Sequence, residues 1–215
     1  MLKEIKLESV QKHGCRFYTT PDGNEYPSVT SVTRLHSMDA IKKWRERVGE
    51  EEANRISLEA STKGTAFHSL MEKTLLESVQ TDPTIIKGFE KVYPKICSEI
   101  VPHISDIQCI EYALYSDALR VAGRVDLVAR YYGKLAICDW KTTKKFKGMK
   151  YTEGYWMQTA AYAVMMKEIY NVDIEKLVLF FNYNDEKTYV LTQDVDKWVE
   201  EFAKLRAKYE ETYGI

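Results

Sequence analysis

The sequence predicts an α/β fold, and three observations predict it. Val121 to Lys141 holds two β-prone runs broken at Gly133, the pattern of a hairpin. Apolar residues recur at helical spacing in separate stretches, among them Phe67, Leu70, Met71 and Leu75, and later Trp198, Phe202, Leu205 and Tyr209. Short strand-like runs such as Leu177-Val178-Leu179-Phe180-Phe181 alternate with those stretches. A chain of 215 residues fits one domain of ordinary size with a substantial core.

Taken in order, residues 5 to 20 read as a β-hairpin, and Pro21-Asp22-Gly23-Asn24 is a turn by its chemistry. The hydroxyl-rich segment from Tyr26 to Thr33 follows, with Ser28 suited to cap a helix. From Asp39 to about Ala60 the chain is charged and helical, and Arg45, Arg47 and Arg55 suit either a solvated face or a nucleic-acid contact. A second helix is expected from Gly64 to about Val79. Asp82-Pro83 has the chemistry of a helix start, and Ile85, Ile86, Phe89, Val92 and Tyr93 continue at helical spacing until Pro94, which should kink or end that helix. A strand over Ile107 to Tyr115 puts Glu111 on one face with Cys109 and Ala113, either as an edge-strand glutamate or as a carboxylate aimed at the hairpin. After the hairpin come a helix from Tyr155 to Tyr170, the strand ending at Phe181, a turn over Asn182 to Glu186, a strand at Thr188 to Leu191, and a closing helix from Asp196 to Tyr213.

The hairpin also carries chemistry. A two-residue loop at Tyr132-Gly133 puts Asp126 directly opposite Asp139, and a loop at Gly133-Lys134 leaves both on one face; a three-residue loop without a bulge separates them. Lys141 lies two residues beyond Asp139 and shares its face. Two carboxylates this close repel unless something positive lies between them. Hard oxygen ligands suit Mg²⁺ or Mn²⁺, with positions left open for water and a phosphate oxygen. The alternative is a solvated hairpin bearing charges of both signs.

Charge and cysteine usage narrow the classes. A net charge of −1 excludes binding of nucleic acid by overall charge and leaves a local patch, which lysines 141, 144, 145, 147 and 150 supply directly after the acids. Cysteines 15, 97, 109 and 138 show no Cys-x-x-Cys pair, so neither zinc nor an iron-sulfur cluster is expected. There is no signal-peptide pattern, no apolar run long enough to span a bilayer, and no Gly-x-x-x-x-Gly-Lys nucleotide loop. The expectation is a cytoplasmic protein of a bacterial or phage-infected cell, with a mitochondrial or other organellar origin as the alternative left open.

Gly-Thr-Ala-Phe-His at 64 to 68, Glu111, Gly-Arg-Val-Asp at 123 to 126, Asp-Trp-Lys-Thr at 139 to 142 and Gln-x-x-x-Tyr at 158 to 162 occur in an order that resembles the PD-(D/E)xK nuclease superfamily, in its RecB-like branch. Tyr-Pro-Ser-Val-Thr-Ser-Val at 26 to 32 is similar to a segment of the mitochondrial genome maintenance exonucleases and related phage exonucleases. The resemblance implies a restriction-endonuclease-like core, a central mixed β-sheet flanked by helices, over residues 61 to 215, with residues 1 to 60 as an N-terminal hairpin and helical extension packed on it. It implies metal ligands His68, Asp126, Asp139 and the Trp140 backbone carbonyl, one or two ions of Mg²⁺ or Mn²⁺, and no iron-sulfur cluster. Lys141 would orient or deprotonate the attacking water. Glu111 would hold the metal through water or support its ligands, while Gln158 and Tyr162 position the strand. Lys144, Lys145, Arg124 and Thr142 complete the expected substrate contacts.

The expected activity is a metal-dependent DNA exonuclease on single strands or DNA ends, in replication, repair or recombination. DNA, and a replication or recombination protein, are the expected partners, with no membrane. Two rivals stand beside it: a structure-selective endonuclease of the same fold, and a non-cutting module that binds DNA or a helicase.

Overall fold

The structure, a computed structural model, describes residues 1–12, 14–76, 87–144 and 148–215, with backbone only at 149 and 150. A five-stranded mixed sheet lies at its centre: β4 (Ile104–Ser116), β5 (Val121–Tyr131), β6 (Lys134–Thr143), β7 (Lys176–Tyr183) and β8 (Lys187–Gln193), in that spatial order. All neighbours are antiparallel except β6 and β7, which run parallel and are joined through helix α4 (Glu153–Tyr170). That crossover buries β7 on both faces. The strand accordingly reads as an unbroken apolar run, with Leu177, Leu179 and Phe181 in one core cluster and Val178 and Phe180 in the other.

The first cluster packs helices α1 (Val29–Val48), α4 and α5 (Asp196–Tyr213) against the sheet; the second packs α2 (Glu50–Leu75) and α3 (Tyr93–Glu99) against the opposite face. Helix α4 lies within the first layer, and Trp156 through Ala163 are buried without a break, so its sequence is apolar all round rather than striped. Cys109 and Cys138 are buried free thiols, while Cys15 and Cys97 are half-buried. No described helix is long and apolar enough to cross a membrane.

The N-terminal residues form a second, three-stranded sheet of β1 (Glu8–Lys12), β2 (Cys15–Thr19) and β3 (Glu25–Pro27). It is fastened to the start of β5: Ser28 bridges Ala122, and the Tyr26 hydroxyl donates to Asp117 Oδ1 at 2.7 Å. Ser28 then caps α1, its Oγ accepting the Ser31 amide at 3.0 Å.

Three helix boundaries differ from expectation. Helix α1 begins at Val29 rather than Asp39, because the Ser28 cap starts it within the hydroxyl-rich segment. The break between the first two helices falls at Gly49, at φ 87°, and α2 then runs unbroken through Gly64. Three glutamates, 50 to 52, occupy its first turn, where they oppose the helix dipole favourably. Pro94 opens α3 instead of ending a helix, since its missing N–H is no loss in a first turn. The expected helical residues Val79, Asp82, Pro83, Ile85 and Ile86 lie outside the described residues.

Candidate active site

Tyr131 pairs with Lys134, so the loop is Tyr132-Gly133, with both residues at positive φ as a tight hairpin turn requires. The β5–β6 ladder ends at Leu127 and Cys138. Beyond it β5 continues beside β4 and β6 continues beside β7, so the sheet forks. Asp126 and Asp139 occupy the first position past the fork, and Asp126 Oδ2 accepts the Trp140 amide at 2.9 Å, putting a side chain where the ladder bond stops. The opening lets side chains from both helical layers meet. His68 enters from α2, and Gln158 enters from α4.

A second irregularity delivers Glu111. On β4, Cys109 belongs to the α4-side cluster and Ile110 to the α2-side cluster, yet Leu114 is back on the α4 side, so the in-out alternation changes phase between them. Glu111 sits at that change with φ 56°, a left-handed conformation that costs a non-glycine residue of order 1–3 kcal/mol and concentrates at functional sites. Simple alternation with Cys109 and Ala113 therefore misplaces this residue. The structure brings its carboxylate to His68 (Nδ1 to Oε1, 3.5 Å) and to Arg124 (Nε to Oε2, 3.1 Å).

His68, Glu111 and Asp126 offer three ligand atoms within 4.8 Å of one another, about the span of two ligand bonds across one hard cation. His68 Nε2 donates to the Trp140 carbonyl at 2.7 Å, which leaves Nδ1 facing the carboxylates, 3.5 Å from Asp126 Oδ2. Asp139, expected beside Asp126 as a ligand, is instead held by Lys141 Nζ at 2.5 Å from Oδ2 and by Gln158 Nε2 at 3.2 Å from Oδ1. Lys141 is thus the charge partner of Asp139 Oδ2, and Gln158 the donor to Oδ1. A divalent cation fits this set, since it would neutralise the crowded carboxylates of Glu111 and Asp126 and take their hard oxygens as ligands.

The electrostatics follow from burial and crowding. Burial, with the charge of Asp126 behind it, pushes Asp139 up to about 7 despite the pull of Lys141. Burial works against His68 protonation, but hydrogen bonds to Asp126 and Glu111 outweigh it and push the imidazole up to about 10. Asp126 is buried too, yet His68, Lys141 and the Trp140 amide hold its carboxyl below the usual range. Lys141 is raised against the cost of burial by Asp139 and Asp126 and stays an ammonium, lying 4.9 Å from the centre of the Tyr155 ring.

The other expected residues fall in different places. Arg124 Nε donates to the Glu111 carbonyl at 2.7 Å, tying it to the strained residue. Thr142 lies near Gly64 of α2, its Oγ1 3.8 Å from where a Cβ would stand. Tyr162 is 2% exposed, and it packs beneath the cleft against Gly123 instead of standing in the open. Lys144 is bound to Glu59 at 2.7 Å. Lys145 and Lys147 lie outside the described residues.

His68, Glu111, Arg124, Asp126, Lys141, Gln158 and Tyr162 line a cleft of about 760 Å³, which β2 and the first turns of α1 complete with a wall of Arg16, Tyr18, Ser28, Thr30, Thr33 and Arg34. That wall, and Tyr155 beside Lys141, are absent from the sequence reading. Tyr155 stands three residues before Gln158 in one helix, a spacing that carries the signal; nothing local to Arg16 does.

The profile of the PD-(D/E)XK nuclease superfamily matches residues 34–213. The mouse protein named mitochondrial genome maintenance exonuclease 1 is 28% identical over 177 residues, covering 75% of this chain and 51% of its own length. Its human counterpart is 27% identical over 135 residues, with 58% and 38% covered, and the Xenopus tropicalis protein 25% over 207 residues, with 86% and 58% covered. The chain thus spans about half the length of the curated relatives it matches. Among solved structures, that of SSO0001 aligns with 86% of this chain and 75% of its own at a TM-score of 0.44 and 14% identity.

Proposed function

This chain belongs to the PD-(D/E)XK nuclease superfamily, and from that membership we propose that it is a metal-dependent DNA exonuclease acting on single strands or strand ends. The observation that carries the reading is the fork in the sheet, where Asp126, Lys141, His68 and Glu111 converge on one open cleft with Asp139 buried directly behind Lys141. A non-cutting module has no need of two crowded carboxylates and a buried ammonium at one point. The exonuclease names of the mouse, human and Xenopus tropicalis relatives support attack from an end.

His68, Glu111 and Asp126 would hold a Mg²⁺ or Mn²⁺ ion, with Asp139 at hand; when bound, such an ion supplies positive charge against the phosphate oxygens and the departing 3′ oxygen. Lys141, kept charged, contributes its own cation to the phosphate and orients the attacking water from the Asp139 side. Gln158 fixes Asp139 and Arg124 fixes Glu111, so the acids cannot swing apart as substrate enters. Tyr155 keeps the Lys141 head over its ring. Replication, repair or recombination is the setting in which such trimming operates.

DNA labelled at either end, incubated with Mg²⁺ or Mn²⁺ and separately with EDTA, tests this. Mononucleotides released from one labelled end, only with metal, are expected. Cutting of a circular single strand would replace the reading with an endonuclease, and no hydrolysis under any metal would overturn it.

A further inference from the structure

Phosphodiester cleavage needs more than the point of attack, because the strand must be held on both sides of it. Six of the nine arginines, 45, 55, 120, 124, 130 and 206, are ion-paired among the described residues. Arg16, Arg34 and Arg47 make no ion pair among those residues, and two of these three line the same cleft. Both are exposed, and they line the cleft from elements that carry none of its acids: Arg16 on β2 and Arg34 in the second turn of α1. Thr30, Thr33 and Ser37 line the cleft beside Arg34; the Thr33 and Ser37 hydroxyls donate to the Thr30 and Arg34 carbonyls at 3.4 and 3.3 Å, long bonds that an oxyanion acceptor would displace.

The wall is rigid where it matters. The Ser28 amide donates to the Arg16 carbonyl at 2.7 Å, and Ser28 also bridges Ala122 of β5, five residues upstream of Leu127 where the fork opens. Both arginines are thereby indexed to the strand that carries Asp126. The acids facing the cleft are already engaged or set apart: Glu111 is bound by Arg124 and His68, and Glu72 stands on the α2 wall. An unpaired guanidinium beside hydroxyls, facing a site that attracts a phosphodiester, has the chemistry of a backbone-phosphate contact.

We propose that Arg16 and Arg34, with the hydroxyls of α1, form a second phosphate subsite that grips the nucleic-acid backbone beside the cleaved bond. The inference rests on the nuclease reading of the acidic cluster and goes beyond it by giving residues 1–60 a share in substrate binding. The grip is electrostatic and indifferent to base identity, as a trimming enzyme requires.

The test measures binding of a fluorescent 12-nucleotide oligo(dT) in EDTA across a salt series for the unaltered chain, Arg16→Gln/Arg34→Gln, and Arg47→Gln as the control. The double variant is expected to bind roughly tenfold more weakly at moderate salt, with the slope of log affinity against log salt reduced by about 1.4, or about 0.7 for each phosphate that is no longer neutralised. Arg47→Gln should be unchanged. With Mn²⁺, the double variant should raise KM on the oligonucleotide by more than it lowers kcat. Equal affinity and slope for all three proteins, an equal weakening in Arg47→Gln, or no binding of the oligonucleotide by the unaltered chain overturns the subsite. Absence of hydrolysis alone overturns the nuclease reading and leaves the binding result to decide the subsite.

Discussion

Gly123→Ala tests how tightly the floor of the cleft is built. A Cβ at Gly123 would stand 2.8 Å from Tyr162 Oη, 2.9 Å from Cε1 and 3.3 Å from Cζ. Tyr162 cannot retreat freely, since its ring is 2% exposed and α4 is buried along its whole central stretch. Relieving three such contacts needs a shift of a few tenths of an ångström through packed side chains, and overpacking of this kind costs about 1–3 kcal/mol. Gly123 has no positive φ, so at a site with room the same change would stabilise by about 0.4–1 kcal/mol through the unfolded chain. The sign is therefore informative. Gly123→Ala should lower the melting temperature by about 2–12 °C, at about 2–4 °C per kcal/mol for a chain of this size. In a Tyr162→Ala background it should be neutral or stabilising, giving a coupling of about 1–3 kcal/mol in a double-mutant cycle. Denaturant melts of the four proteins measure it. A stabilising Gly123→Ala in the unaltered chain, or a penalty that persists without the tyrosine ring, would refute the close-packing argument.

Further outcomes follow from the site. Lys141→Ala and Asp126→Asn should each abolish DNA hydrolysis while oligonucleotide binding persists within a few-fold; full activity in either removes the residue from the site. His68 adds a nitrogen ligand to the oxygens, so calorimetric titration should find Mn²⁺ bound more tightly than Mg²⁺, with His68→Gln narrowing the ratio. In EDTA the imidazole, at about 6.5 unfolded and about 10 folded, stabilises fully below pH 6.5. That contribution is lost as pH rises toward 10, so the metal-free protein should lose stability progressively over this window, by about 5 kcal/mol at most, and His68→Gln should flatten the trend. Gln158→Ala should cut turnover more than it changes DNA affinity, because its amide nitrogen is spent on Asp139 Oδ1; an equal effect on both would place Gln158 on the substrate.

The hairpin was legible because a two-residue turn leaves few registers, and Tyr132-Gly133 is the one that sets Asp126 against Asp139. Ser28 was legible as a cap, and the closing helix from Asp196 to Tyr213 by its apolar spacing. What escaped was whatever depends on distant packing. Glu111 follows alternation in the sequence and departs from it in the fold, because two strands change phase together and no local residue type announces a left-handed glutamate. Gly64 reads as a helix start yet lies inside a helix, since the true break at Gly49 is marked by a backbone angle. Arg16 meets the site only through a sheet built from residues about a hundred positions away in sequence, and such proximity has no periodic signature.

The fork in the sheet makes the constellation a late product of assembly. Its members come from α2, β4, β5, β6 and α4, so none of the local hairpins or helices holds a working set on its own. A one-residue slip of β6 against β5 would turn Asp139 and Lys141 to the other side of the sheet and away from Asp126. Partly folded or misregistered chains thus lack the assembled constellation, which comes together only when both helical layers have closed over the sheet.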